Sequence, residues 1–221
     1  MSELRVVTQT GEALRRHLDD IARLRIQVFR AWPYLYDGNP TYERRYLQTY
    51  IDTPDAMVAI CFDGERVVGA STALPLAHET EEIRRPFEHR GAEPAPTGLL
   101  QHCGSGLPPA ISPPITLDNT LYLGESVLDP ACRGRGIGVA FFDHREAHAA
   151  ALGLTHCVFC AVQRAEDDPR RPADAVALDA FWRKRGYAPI DGCTTTLSWQ
   201  EIGERVESPK PMQFWRKSPG A

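Results

Sequence analysis

The sequence predicts an α+β or mixed α/β plan built around one sheet. Three observations carry this. Strand-like runs and helical periodicities follow one another as β-α-α-β-β, then an irregular stretch, then β-α-β-α-β-β. The chain has 221 residues, enough to bury a core without disulfide or metal staples. Hydrophobic residues make up 43% and charged residues 24%, a globular balance. The longest apolar stretch, near 56–62, is seven residues, too short to span a bilayer. The opening MSELRVVTQT lacks a basic-then-apolar leader pattern, so a cytoplasmic protein is expected.

The elements follow in order. Residues 4–8 form a β-rich run. Over 11–30, Leu14, Leu18, Ile21, Leu24, Arg25 and Val28 recur at three- and four-residue steps, which predicts a helix with one apolar face. Residues 31–40 break it with prolines and turn-formers. A second helix is expected over 41–52, with Tyr42, Tyr46, Leu47 and Tyr50 on one side. The runs 56–62 and 67–76 flank Asp63-Gly64-Glu65, a hairpin signal. Residues 78–119 open with a charged piece of helical character over 79–90. They then turn Gly/Pro-rich and hold seven of the eighteen prolines. This segment reads as an insertion in a single domain spanning 1–221, because it has few large apolar residues to build a core. It would cover a site, form a dimer contact or stay mobile, and a homodimer is left open. A strand over 120–128, a loop over 129–138 and a helix to about 152 come next. Then follow a strand over 155–163, a charged loop over 164–172, a helix over 173–185 ending at Gly186, and strands at 193–199 and 211–216.

The formal net charge of −4 argues against a broad basic footprint for nucleic acid. Six cysteines are read as reduced thiols. Cys157 and Cys160 have C-x-x-C spacing, but three-residue spacing in a strand points them to opposite faces, so they are expected in the core. His144 and His148 sit at i and i+4 without a third ligand, and no metal is expected.

The informative stretch is Arg133-Gly134-Arg135-Gly136-Ile137-Gly138, between a strand and an amphipathic helix. The first amides of a helix lack intrahelical partners and carry the positive end of the dipole. A glycine-rich entry lets an anion approach them, and two arginines add charged donors, so phosphate binding is expected. The spacing is neither a Walker loop nor G-x-G-x-x-G.

This stretch resembles the Q/R-x-x-G-x-G/A loop of the GCN5-related N-acetyltransferases (GNAT). Val127-Leu128-Asp129-Pro130 resembles that family's strand-then-proline approach, and 177–187, ending Lys184-Arg185-Gly186-Tyr187, resembles its helix with a Gly-aromatic tail. The resemblance implies a GNAT-like acyl-CoA N-acyltransferase fold, a central mixed sheet flanked by helices. It implies acetyl-CoA as co-substrate and direct transfer to an amine in a ternary complex. Arg133, Gly134, Arg135, Gly136, Ile137 and Gly138 would hold the pyrophosphate. Ser126, Val127 and Leu128 would bind the pantetheine arm and offer an amide to the thioester carbonyl. Trp182 stands where many members carry a tyrosine acid, which leaves Tyr187 or a water as the proton donor. Asp174 stands in place of a local asparagine.

Glu125 is a carboxylate in an otherwise apolar strand, costly unless paired or functional. It is either a general base or a structural partner for an arginine such as Arg25. Arg25, Phe29, Trp32, Tyr34 and Tyr36 form an aromatic-rich exit from the first helix, which the resemblance places on the acceptor wall or which is simply core and turn. The expected partners are acetyl-CoA and an amine acceptor, without nucleic acid or membrane. Two alternatives stand: a longer-chain acyltransferase resembling acyl-homoserine-lactone synthases, and a non-catalytic acyl-CoA sensor.

Overall fold

The computed structural model describes residues 3–88 and 114–217. Most of the expected insertion at 78–119 lies outside these residues. A seven-stranded sheet runs in the order β1 (Leu4–Gln9), β2 (Met57–Asp63), β3 (Arg66–Pro75), β4 (Thr120–Leu128), β5 (His156–Val162), β7 (Ser208–Lys217), β6 (Ala188–Trp199). Among the described residues, β4 and β5 are parallel and the other neighbours antiparallel. Helices α1 (Leu18–Phe29) and α2 (Pro40–Asp52) cover one face, and α4 (Ile137–Ala151) and α5 (Asp179–Lys184) the other. α3 (Glu81–Glu88) packs on β6.

β2 shows why this sheet is covered twice. Val58, Ile60 and Phe62 join the core under α1 and α2, while Met57, Ala59 and Cys61 join the core under α4. Its unbroken apolar run is therefore what a strand buried on both faces requires. Cys157 and Cys160 likewise fall in different clusters, both buried, as the strand period demands.

Three boundaries differ from the sequence expectation. The first helical stretch begins as a 3-10 segment (Gly11–His17) before α1 proper. The last helix is only Asp179–Lys184, because Val176 and Leu178, at 85% and 54% exposure, find nothing to pack on. β6 begins at Ala188, earlier than the expected start at 193, and runs through Asp191-Gly192. The strand passes through that dipeptide with a register shift between Pro189 and Thr194, Gly192 taking φ +63°.

α3 carries Pro86 inside it, which removes the bond to the Glu82 carbonyl. The Thr195 hydroxyl on β6 donates to that carbonyl at 2.6 Å. The proline thus ties α3 to the sheet without orphaning a backbone acceptor.

Candidate active site

β4 and β5 are ladder partners only from Thr120–Tyr122 to His156–Val158. Beyond that, 159–162 of β5 pair with β7 while 126–128 of β4 pair with β3. The two central strands splay, and a cleft opens between their carboxyl-terminal halves.

β4 changes phase as it enters the cleft. Leu121 to Leu123 pair with Pro75 to Ala73, and Ser126 to Leu128 pair with Ser71 to Gly69. Thr72 therefore faces two residues, Gly124 and Glu125, which is a β-bulge. Its effect is to reverse the alternation. Leu121 and Leu123 point to the α4 face, whereas Val127 points to the α1 and α2 face. Glu125 is thereby aimed at α1 and α2.

The bulge is held by side chains. The Glu125 amide donates to Thr72 Oγ1 at 3.1 Å, and Ser71 Oγ donates to the Glu125 carbonyl at 3.1 Å. Ser71 Oγ also meets Ser126 Oγ at 2.7 Å. Only glycine fits beside Glu125: a Cβ on Gly124 would lie 2.4 Å from Thr72 Oγ1 and 2.7 Å from the Tyr50 hydroxyl. Gly124→Ala is expected to cost about 1–3 kcal/mol as an overpacking change. A urea titration would read this as a lowered midpoint, and an unchanged midpoint would mean that Thr72 and Tyr50 can move aside.

Glu125 meets a buried polar cluster. Its Oε1 ion-pairs with Arg25, and its Oε2 accepts from the Tyr46 hydroxyl at 2.7 Å. Tyr46 and Tyr50 share a hydroxyl contact at 2.9 Å. Arg25 also donates to Glu43, which is 0% exposed. The guanidinium lies 4.2 Å from the Tyr46 ring centroid and 5.1 Å from that of Phe29. Burial opposes its charge, but Glu125 and Glu43 outweigh burial and keep it protonated. Burial, reinforced by the Glu125 charge, holds the Tyr46 and Tyr50 phenols well above their usual range. Of the two readings the sequence left open for Glu125, general base or partner of an arginine such as Arg25, the ion pair supplies the partner and leaves the base role open.

The same wall continues through Tyr34 and Tyr36. The Tyr34 ring lies 4.6 Å from Phe29, and its carbonyl accepts from Trp199 Nε1 at 2.9 Å and Arg164 Nη2 at 3.3 Å. Tyr36 pairs with Glu201 as a β-bridge, and its phenol stands beside Glu43. Trp32 has the Arg164 guanidinium 5.8 Å from its ring. Arg164 in turn pairs with Glu201 at 2.5 Å, so the charged loop after β5 braces this wall.

At the cleft's far end, Asp129 accepts from the Ala131 amide at 3.0 Å and ion-pairs with Arg66, fixing the turn that leads to the glycine loop. Gly134 and Gly136 have φ of +73° and +82°, a region that favours glycine, and a Cβ on either would meet open space. Gly136 is the N-cap of α4 and has no side chain to occupy its first amides. Arg133 and Arg135 are exposed beside it, while Ile137 is buried and anchors the helix start. A Cβ on Gly138 would make ordinary contact with Phe181 of α5, 3.5 Å from its ring. An anion can reach this helix start from solvent, so the residues present fit a phosphate group.

Tyr187 is placed differently from what a proton donor needs. It is 1% exposed among Phe142 and Phe159, and its hydroxyl donates to Glu146 at 3.1 Å. Burial, with Cys157 and Glu146 nearby, pushes its phenol far above its usual value. The acid role expected of it gains no support from this placement. Trp182 packs against Phe159 and Trp215. Cys160, which lies 3.1 Å from the Tyr122 hydroxyl, is pushed up to about 12 by burial and stays a thiol at neutral pH.

The profile described as "Acetyltransferase (GNAT) family" matches residues 21–187.

The chain belongs to the GNAT family of acetyltransferases.

It is thereby an acyl-CoA-dependent enzyme of the N-acetyltransferase class. No functionally curated protein matches the sequence. Solved structures share this fold, among them the following three. A ribosomal-protein-alanine N-acetyltransferase from Brucella melitensis has a TM-score of 0.57 at 13% identity, over 96% of this chain and 99% of that one. An acetyltransferase from Streptococcus agalactiae gives 0.54 at 14%, over 97% and 98%. An N-acetyltransferase from Staphylococcus aureus gives 0.54 at 12%, over 97% and 98%. At these identities the likeness is one of fold. Among the described residues, no cluster of three His, Cys, Asp or Glu stands ready to hold a metal ion, and no helix is long and apolar enough to cross a membrane.

Three residues at the Glu125 cluster escape the sequence reading. Glu43 and the Thr72 hydroxyl reveal themselves only as partners of Arg25 and Glu125. Glu79 ends the 3-10 turn after β3 and faces the same cluster.

Proposed function

We propose that the protein transfers the acetyl group of acetyl-CoA to an amine by direct attack in a ternary complex. The observation that carries this is the splay of β4 from β5, ending at the open glycine start of α4. The amides of Arg133, Gly134, Arg135, Gly136, Ile137 and Gly138 receive the pyrophosphate, with the two arginines adding charge-assisted bonds. Along 126–128 the β4 edge that faces the cleft has no β5 partner. The backbone of Ser126, Val127 and Leu128 takes the pantetheine arm there, and one amide polarises the thioester carbonyl and stabilises the tetrahedral oxyanion.

The acceptor approaches from the other side, along Arg25, Phe29, Trp32, Tyr34 and Tyr36. Tyr34 and Tyr36, partly exposed over the buried Phe29, offer aromatic surface, and two carboxyl groups, of Glu43 and Glu125, stand against the one guanidinium of Arg25. This suits an amine on an apolar body that arrives as a cation. Holding both reactants in line supplies much of the rate enhancement.

Calorimetry with acetyl-CoA and longer acyl-CoAs, followed by thiol release over an amine panel, tests the proposal. Acetyl-CoA is expected to bind and at least one amine to release thiol. Tighter binding of long acyl chains would favour the lactone-synthase-like alternative. Binding without thiol release from any amine would favour a sensor. No binding of any acyl-CoA would overturn the reading.

A further inference from the structure

We propose that Glu79 takes the proton from the acceptor amine, while Glu125 anchors Arg25 and the tyrosines; the assignment rests on the acetyl-transfer reading. An amine reaches the site as an ammonium and has no lone pair until a proton leaves. Both oxygens of Glu125 are engaged, one by Arg25 and one by Tyr46. Glu79 is the other carboxylate at this cluster. It follows the 3-10 turn (Leu76–His78) that ends β3, and Leu76 packs in one core cluster with Tyr122 and Cys160.

Among the described residues, Glu79 shares its electrostatic surroundings with Tyr46 and Tyr50 on α2, Tyr122 and Glu125 on β4, and Cys160 on β5, and α3, which carries Glu81, Glu82, Arg84 and Arg85, packs against its turn. The Thr80 amide donates to its Oε2 at 3.1 Å, and its other oxygen is not the acceptor in that bond. Burial, helped by the Glu125 charge, pushes its carboxyl up to about 7, against the pull of the Thr80 amide. The phenols and the thiol around it all lie above their ordinary values and hold their protons at neutral pH, whereas the Glu79 carboxyl is raised into the neutral range. It is only half-buried, with exposed His78 and Thr80 on either side, so a captured proton can pass to solvent.

The balance is simple. One ammonium proton goes to the Glu79 carboxylate and on to water. The freed nitrogen lone pair forms the C–N bond to the thioester carbonyl carbon. The C–S bond then breaks with its electron pair on sulfur. A second proton leaves the nitrogen and ends on that sulfur, giving amide and thiol. No separate side-chain acid is required, which accommodates Trp182 at the tyrosine position and the enclosed Tyr187.

The test follows thiol release from acetyl-CoA with phenethylamine and with spermidine as probes, between about pH 5 and pH 9. Wild-type kcat/KM is expected to rise with pH through about 7, because the deprotonated carboxylate is the active form. Glu79→Gln is expected to lose that rise and about a hundredfold or more of the rate, with acetyl-CoA affinity unchanged by calorimetry. Glu125→Gln is expected to move the rise to lower pH, because a neighbouring like charge is gone. A rise that persists in Glu79→Gln overturns the assignment. Infrared difference titration needs no acceptor: a carboxyl band titrating near neutrality in the wild type and missing in Glu79→Gln supports it, and its absence from the wild type overturns it. Failure of acetyl-CoA to bind the wild type is a separate result, which overturns the acetyl-transfer reading itself.

Discussion

Arg25→Met is expected to lower the unfolding free energy by about 3–5 kcal/mol, the cost of leaving buried carboxylates without their counter-charge. Two such carboxylates depend on Arg25: Glu43, with no exposure, and Glu125, whose side chain is 13% exposed. Methionine keeps much of the volume and the contact with Phe29 and Tyr46, so the loss measures charge more than packing. Urea denaturation of the variant reads the effect directly. Adding Glu43→Gln should recover part of it, since an uncharged amide is cheaper to bury. A loss below about 1 kcal/mol for Arg25→Met would mean that the cluster is far better hydrated than its burial indicates.

Gly136→Val is expected to abolish coenzyme binding while sparing the fold. A β-branched residue at φ +82° is strained by about 1–3 kcal/mol. Its side chain would also project into the open space at the start of α4, where the pyrophosphate is proposed to approach. Affinity for acetyl-CoA should fall at least about a hundredfold, or roughly 2.7 kcal/mol, in a calorimetric titration. Gly136 is itself exposed and a Cβ there would meet nothing within 4 Å, so circular dichroism should remain that of the wild type. Unchanged affinity would remove the glycine loop from the proposed site.

The parts of the molecule legible in the sequence are those governed by local chemistry. The loop Arg133–Gly138 announces itself through glycine spacing, and two of its glycines do adopt positive φ. Glu125 could be marked because a carboxylate amid apolar strand residues must find a partner, and it found the arginine on α1. What depends on register was invisible. Nothing local shows that Gly124 and Glu125 together oppose Thr72, yet that pairing decides where Glu125 points. Glu79 precedes Glu81, Glu82, Arg84 and Arg85, so it reads only as the start of a charged piece of helical character. Only the path of the turn after β3 brings it to the tyrosines. The helix expected over 173–185 shrank because helical periodicity needs a surface to bury against, and 173–178 have none.

The short seam between β4 and β5 has a wider consequence. A sheet edge normally lies at the rim of a protein, where it invites another chain to add a strand. Here two such edges stand inside the molecule, facing each other across the cleft. Each half of the sheet, β1 to β4 and β5 to β7, is laddered within itself, and only three residue pairs lace the halves together. A slender ligand with its own amides, lying between them, would be the missing strand. Besides its outer rims at β1 and β6, the sheet thus keeps a second pair of edges turned inward, where a small molecule rather than a second chain would complete the pattern.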